Sequence, residues 1–140
     1  MLFRSSLLVS ADMGHAFHPN FPSYMKDTVR PTLNKGILIK TNDNIRYTST
    51  SISRVLLRTI TSKKQIPFQN YVGRNDKRSG STIGPYLSSL LGIESIDIGG
   101  PLLAMHSIRE LAGVDDLANY AELMRLVFIS ELAKVNDDLK

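Results

Sequence analysis

Residues 7–21 read LLVSADMGHAFHPNF and hold the densest group of chemically active side chains in the chain. A short apolar run leads into Asp12, and two of the three histidines, His15 and His18, follow within the same stretch. A compact apolar run predicts a buried strand, and open α/β sheets bind ligands beyond the carboxyl ends of their strands. Carboxylate and imidazole groups suit a zinc site or proton transfer. The alternative is a strand that ends in a polar turn, with Asp12 as a local cap.

Further strands are predicted from short β-branched or apolar runs. They lie at residues 36–40, 45–48, 68–72 and 93–98, and the first two form a hairpin around the turn-forming residues 41–44. The sequence Gly99-Gly100-Pro101 predicts a sharp break after the last of them.

Three helices are predicted between and after these strands. Thr50 or Ser51 caps the first, which runs to about Lys64. Ser81 or Thr82 caps the second, with Pro85 in its first turn and Gly92 as its stop; Asp115 or Asp116 caps the third. The predicted buried stripe of the third helix is Leu117, Tyr120, Ala121, Met124 and Phe128. Strands that alternate with helices predict an α/β sheet covered by helices.

The composition excludes several classes of function. The 140 residues suit one domain, and the net charge of +4 is spread along the chain. The basic pairs Lys63-Lys64 and Lys77-Arg78 lack the interleaved aromatic residues of a single-strand binder, so no nucleic acid is predicted. The absence of cysteine excludes disulfides and thiolate zinc sites, so a metal would need His, Asp or Glu. Residues 1–11 are too short an apolar segment for a signal peptide or a membrane helix, which predicts a strand there and a cytoplasmic protein.

Five motifs occur in one order along the chain: SADMGHAFHPNF at 10–21, RPTLNKGILIK at 30–40, RND at 74–76, GSTIGP at 80–85 and MHSIRE at 105–110. With them, residues from about 7 to 128 closely resemble the C-terminal part of aspartyl aminopeptidases. The resemblance implies that residues 1–140 are the C-terminal segment of a catalytic domain, part of a three-layer α/β/α zinc-peptidase sandwich. It also implies two zinc ions per complete site (or other divalent metals), a large homo-oligomer, and peptides with N-terminal Asp or Glu as substrates.

The same resemblance implies a role for particular side chains. Asp12 and His106 would each bind a zinc ion, and His15 would act in catalysis at the substrate, where it stabilises the carbonyl or the tetrahedral intermediate. Lys40 would pair with the acidic side chain of the substrate, and Tyr47 would contact the substrate through its hydroxyl. The residues alone favour plainer alternatives: a core histidine for His106, an exposed lysine at a strand end for Lys40, and a half-buried tyrosine for Tyr47.

His18, in the sequence HPN, resembles a residue at the contacts between subunits; the alternative is a surface histidine in a turn before proline. Residues 74–76 are expected to order a loop near the metal site. Lys77-Arg78 depart from the family form, in which a small or proline-containing pair is usual.

One part of the family pattern is missing. The complete site also needs an early His, a bridging Asp and an adjacent Glu pair, of which one Glu is the general base, and no Glu-Glu pair occurs in these 140 residues. The isolated chain is therefore expected to be an incomplete, inactive portion of a zinc aminopeptidase. The alternative function is a non-catalytic fragment that interacts or assembles with other chains of the same family.

Overall fold

The computed structural model describes residues 6–77 and 79–131. The strands and α-helices of these residues follow in this order: β1 (Leu7–His15), β2 (Ile37–Thr41), α1 (Ser51–Thr61), β3 (Phe68–Val72), α2 (Gly84–Leu91), β4 (Glu94–Leu103), β5 (Leu111–Ala112) and α3 (Val114–Ile129). Short 3-10 helices cover Pro22–Tyr24 and Ser62–Lys64. None of the described helices has the length and apolar character needed to cross a membrane.

The strands form one mixed sheet in the order β1-β4-β2-β3, and β5 adds to β4. β1 is parallel to β4, and β2 is parallel to β3. The two pairs meet where β2 and β4 run antiparallel, with Ile39 opposite Ile98. The longest strand, β4, therefore lies at the centre of the sheet and contacts three other strands.

The two faces of the sheet differ in chemistry. One face carries the isoleucines of β2 and β4 and packs against α1 and α3, which makes the core: Ile37, Ile39, Leu57, Ile60, Ile66, Ile96, Ile98, Leu123 and Leu126. The other face carries Ser10, Asp97 and Lys40, all buried, and α2 begins against it at Gly84. Helices thus cover both faces, which confirms the predicted α/β class.

Several predicted boundaries are confirmed. Thr50 is the N-cap of α1, and its hydroxyl and that of Ser53 form a capping box. The 3-10 turn after α1 extends the helical segment to Lys64. Gly92 ends α2 in a left-handed conformation with φ of 59°, and Pro85 lies in the first turn.

Three other predictions are wrong, and Asp97 or its strand is the reason in each case. Residues 45–48 form no strand, because Thr48 and its neighbour bond to Asp97 instead of pairing with β2. The glycines after Ile98 do not break β4, since Gly99 pairs with Asp12 on one side and with Leu38 on the other. Neither Ser81 nor Thr82 caps α2: Ile83 is the N-cap, and the Thr82 hydroxyl donates to Asp97.

The start of α3 is also different from the prediction. Gly113 is its N-cap and no side chain of the helix caps it. The distant Asn34 does so instead: its amide oxygen accepts a hydrogen bond from the Asp115 N–H at 3.1 Å. Asp116 points inward and accepts from the N–H groups of Asn34 and Gly36 at 2.6 and 2.8 Å.

This inward Asp116 sets the rotation of α3 and makes the predicted buried stripe wrong. Leu117 and Phe128 are 54% and 82% exposed. Leu123 and Leu126, which continue the helical face of Asp116, are buried instead. Only Tyr120 and Met124 of the predicted stripe pack against the core.

We expect Asp116→Ala to lower the free energy of unfolding by about 3 kcal/mol, because it leaves two backbone N–H groups without their carboxylate acceptor. Asp115→Ala is the matched control, since it removes a first-turn carboxylate that is exposed. Both variants lose the same favourable interaction with the helix dipole. The difference between their urea midpoints therefore isolates the hydrogen bonds, and equal midpoints would contradict the structure.

Candidate functional site

A cleft of about 800 Å³ opens beside the polar face of the sheet. It is lined by the ends of β1 and β4, by Lys40 of β2, and by the loops around residues 18–25, 47, 73–77, 79–82 and 104–106. All the side chains singled out in the sequence border this cleft: Asp12, His15, His18, Lys40, Tyr47 and His106. Asp12 lies within β1 rather than after its end, because the strand continues to His15.

Lys40 is the most buried charged group of the cleft, with 2% exposure. Its ammonium lies 3.3 Å from Oδ2 of Asp12, donates to the Met13 carbonyl, and lies 5.6 Å from the centre of the Tyr47 ring. Burial lowers the pKa of Lys40 from its ordinary value, while the charges of Asp12 and Asp97 act in the opposite direction. The alternative of an exposed lysine at a strand end is wrong.

Two glycines make room for side chains of β2: Gly99 for Lys40, and Gly14 for Leu38. A Cβ atom at Gly99 would lie 2.7 Å from Cε of Lys40, and one at Gly14 would lie 2.5 Å from Leu38 and 3.4 Å from the same Cε. Both glycines sit in strands, where the residue is otherwise disfavoured. The Lys40 side chain explains Gly99 and the Leu38 side chain explains Gly14, roles that sequence analysis missed.

His15 and His106 lie close enough to influence each other. Loss of water around its ring lowers the pKa of His15 below its ordinary value, and the charges of His106 and Lys40 lower it further. A neutral imidazole keeps one N–H donor and one free acceptor nitrogen. His15 can therefore donate a hydrogen bond to an oxygen in the cleft at neutral pH.

His106 stands on a loop with an uncommon backbone. Its φ is 69°, that of Ala104 is 56°, and its N–H donates to the carboxylate of Glu110. Left-handed conformations of non-glycine residues cost free energy and concentrate at functional sites. The ring is exposed at the cleft, so the alternative of a core histidine is wrong.

Asp12 is held through its main chain as well as through its carboxylate. The Tyr120 hydroxyl donates to the Asp12 carbonyl at 2.9 Å, which ties α3 to β1 at this point. The Asp12 side chain is 57% exposed and pairs with Lys40 rather than with a neighbouring turn. The local-cap alternative for Asp12 is therefore wrong.

The oxygen and nitrogen donors of Asp12 and His106 fit zinc in kind. They do not fit it in number, because no three His, Cys, Asp or Glu side chains come together as a metal site within the described residues. These two residues alone make at most part of a zinc site.

Asp97 is the buried acidic residue that sequence analysis missed. It is completely buried, and its carboxylate accepts hydrogen bonds from Thr48 and Thr82. It lies between Ile96 and Ile98 in the stretch IESIDIGG, and an acidic residue between two apolar residues of a strand indicates a buried, hydrogen-bonded carboxylate.

Aromatic rings flank the open side of the cleft. The ring of His18 lies 5.1 Å from that of Phe21, which in turn contacts Tyr24 edge to face. The Lys77 ammonium lies 5.6 Å from the Tyr24 ring. His18 also accepts a hydrogen bond from the Asn20 N–H. These residues form a rim in which Phe21 and Tyr24 are exposed and His18 is half-buried, while Arg78 lies outside the described residues.

The RND motif orders the neighbouring loop. Arg74 forms two hydrogen bonds with the Asp76 carboxylate, and the guanidinium holds the pKa of Asp76 at about 2. Asn75 donates to Asp43 at 3.0 Å, so the loop is joined to the turn after β2. Arg74 itself borders the cleft.

Known proteins resemble this chain in sequence and in fold. The family model for "Aminopeptidase I zinc metalloprotease (M18)" matches residues 1–128. Aspartyl aminopeptidase 1 of Schizosaccharomyces pombe is 43% identical over 96% of this chain and 28% of its own length. A probable M18 family aminopeptidase 2 of Clostridium novyi is 52% identical over 79% of this chain and 26% of its own length.

Solved structures agree with these relatives. A chain from the cryo-EM structure of the Ape4 and Nbr1 complex superposes with a TM-score of 0.90 at 42% identity, over 99% of this chain and 26% of that one. The mApe1 dodecamer of S. cerevisiae gives a TM-score of 0.83 at 27% identity, over 99% of this chain and 30% of that one. This chain thus spans less than a third of the length of each of these proteins. The chain belongs to the aminopeptidase I zinc metalloprotease (M18) family.

Proposed function

We propose that this chain forms the C-terminal part of the catalytic domain of an aspartyl aminopeptidase. In this role it supplies the wall of the active site that binds an acidic N-terminal residue, together with two of the metal ligands. The observation that carries the proposal is the convergence of Asp12, His15, Lys40, Tyr47 and His106 on one cleft. The aspartyl aminopeptidases among its relatives support the choice of substrate.

Lys40 is suited to bind the side-chain carboxylate of the substrate. An ammonium group has three donors, and Lys40 uses two of them, for Asp12 and for the Met13 carbonyl. The third is available to a carboxylate in the cleft. Burial strengthens such a pair, because little water competes for the charge. Tyr47, whose ring lies beside this ammonium, would contact the same substrate residue through its hydroxyl.

His15 would hold the oxygen of the scissile carbonyl. Its neutral imidazole can donate one hydrogen bond to that oxygen, which gains negative charge during the reaction. Asp12 and His106 would contribute to the binding of two zinc ions, with the remaining ligands and the general base supplied from outside these residues. Zinc bound with these ligands would supply polarisation of the substrate carbonyl and a water that is nucleophilic at neutral pH.

The zinc part of the proposal is tested by titrating the chain with zinc and following a competing metal indicator. We expect weak binding, because a stable zinc site takes four ligands and this chain brings two. Asp12→Ala and His106→Ala should each abolish it. His18→Ala is the matched control: it removes a histidine on the rim of the same cleft and should leave zinc binding unchanged.

Two results would contradict the proposed ligands. Tight stoichiometric zinc binding that survives His106→Ala would place the metal on other residues. Equal losses in His18→Ala and His106→Ala would mean that the metal binds exposed histidines without a defined site.

A second candidate is an assembly function, which the exposed apolar side chains favour. Phe21, Tyr24, Tyr86, Leu90 and Phe128 are all more than half exposed, and large apolar surfaces mark contacts with other chains. A homo-oligomer is supported by the dodecamer formed by the relative mApe1, and His18 on the aromatic rim would lie at such a contact. The cytoplasmic location stays a prediction from the sequence.

A further inference from the structure

Asp97 forms hydrogen bonds with two loops that border the cleft. Its Oδ2 accepts from the N–H and the hydroxyl of Thr48 at 2.7 and 2.9 Å, and its Oδ1 accepts from the Thr82 hydroxyl at 2.5 Å. The Ser49 hydroxyl bonds to both the N–H and the carbonyl of Asp97 at 3.0 and 3.2 Å. Five hydrogen bonds therefore converge on this one residue.

The loops in question have no regular structure of their own. Residues 42–50 lie between β2 and α1, and the described residues among 73–83 lie between β3 and α2. The Ser81 hydroxyl also donates to the Arg46 carbonyl at 3.0 Å, which joins the loops to each other. Their position over the cleft consequently depends on side-chain bonds, and five of the bonds that join these loops to the sheet end on Asp97.

Tyr47 directly precedes Thr48 and is placed by these bonds. Its ring packs against Tyr71 with centres 6.0 Å apart and lies beside the Lys40 ammonium. Asp97 is also one of the carboxylates whose charge acts on Lys40. The start of α2 packs closely against the Asp97 carboxylate, since a Cβ at Gly84 would lie 2.7 Å from an Asp97 oxygen.

We propose that Asp97 is a positioning residue of the cleft, which holds Tyr47 beside the Lys40 ammonium and Thr82 at the wall of the cleft. Asp97 does not line the cleft, so it acts on a ligand only through the residues that it holds. This distinguishes it from Asp116, which is also buried (2% exposed) and also accepts from backbone N–H groups but does not line the cleft.

The experiment compares Asp97→Asn with Asp116→Asn in the full chain labelled with fluorotyrosine. The fluorine NMR signal of Tyr47 is identified as the one that Tyr47→Phe removes. In Asp97→Asn we expect this signal to move toward the position of an exposed tyrosine. Asp116→Asn should lower the thermal midpoint and leave the signal in place.

A second readout is the binding of the dipeptide Asp-Ala, which rests on the proposed function. Asp97→Asn should weaken it by about tenfold, the size expected for loss of one well-formed polar interaction, while Asp116→Asn leaves it unchanged. If the unmodified chain binds no dipeptide, the proposed function fails, and the fluorine signal still decides the role of Asp97.

Two milder variants keep the test valid if Asp97→Asn does not fold. Thr48→Val removes only the hydroxyl bond and should shift the Tyr47 signal in the same direction. Thr48→Ser keeps the hydroxyl, so the Tyr47 signal should stay at its position in the unmodified chain. A Tyr47 signal that stays in place in folded Asp97→Asn, or in Thr48→Val when Asp97→Asn is unfolded, would overturn the proposal. So would an equal shift in Asp116→Asn, since it would reduce Asp97 to a general contribution to stability.

Discussion

Gly36→Ala is expected to lower the free energy of unfolding by more than about 4 kcal/mol, a loss large enough to unfold many domains. A Cβ atom at Gly36 would lie 2.2 Å from the Pro67 carbonyl oxygen, and its φ of 106° is a conformation that residues with side chains rarely adopt. The Pro67 carbonyl cannot retreat freely, because it accepts a hydrogen bond from the Ile37 N–H at 3.0 Å where β2 begins. The substitution therefore damages the register of β2 as well as the turn.

Two other glycines separate the steric clash at Gly36 from the conformational strain of its positive φ. A Cβ atom at Gly80 would meet nothing within 4 Å, so Gly80→Ala should change stability by less than about 0.5 kcal/mol. Gly92 has a φ of 59° but open space around it, so Gly92→Ala should cost only the conformational strain of roughly 1–2 kcal/mol. Urea unfolding followed by circular dichroism measures all three variants. If Gly36→Ala were as stable as Gly80→Ala, the close contact between Gly36 and the Pro67 carbonyl would be wrong.

Lys40→Met is expected to weaken the binding of the dipeptide Asp-Ala by at least about 30-fold and to leave that of Ala-Ala nearly unchanged. Removing one partner of a buried, hydrogen-bonded charge pair costs roughly 2–5 kcal/mol, and methionine fills most of the volume of the lysine. Isothermal titration calorimetry with both dipeptides gives the ratio of affinities, which is the quantity that reports selectivity for the acidic residue.

The matched control is Lys35→Met, which removes an exposed lysine near the start of the same strand. It should alter neither affinity, because the exposed ammonium is screened by water and salt. If Lys40→Met weakens both dipeptides equally, Lys40 supports the shape of the cleft and the selectivity for acidic residues resides elsewhere.

Local chemistry made parts of this fold predictable from the sequence. Thr50 and Gly92 act within one turn of their own helix, so their positions along the chain were sufficient to assign them. The strand at 37–41 begins with the apolar run Ile37-Leu38-Ile39, which predicts a strand without knowledge of distant residues. The likeness to one family placed the candidate site residues, all of which border a single cleft.

The wrong predictions share a different cause, which is competition from a distant polar partner. Thr82 has the chemistry of a helix cap, but its hydroxyl bonds to the buried Asp97. Asp116 looks like the cap of α3, but it turns inward to the N–H groups of Asn34 and Gly36. Gly99 looks like a strand break, but it stays in β4 and makes room for Lys40. Each assignment required knowledge of which residues meet across the sheet.

The order of the strands has a consequence for synthesis of the chain on the ribosome. β1 has its parallel partner in β4, which is made only after β2, α1, β3 and α2 have been added. Translation proceeds at roughly 5–20 residues per second, so β4 is completed several seconds after β1. The central strand completes the sheet late, and during that interval the hydrogen-bonding edge of β1 has no partner strand from β4.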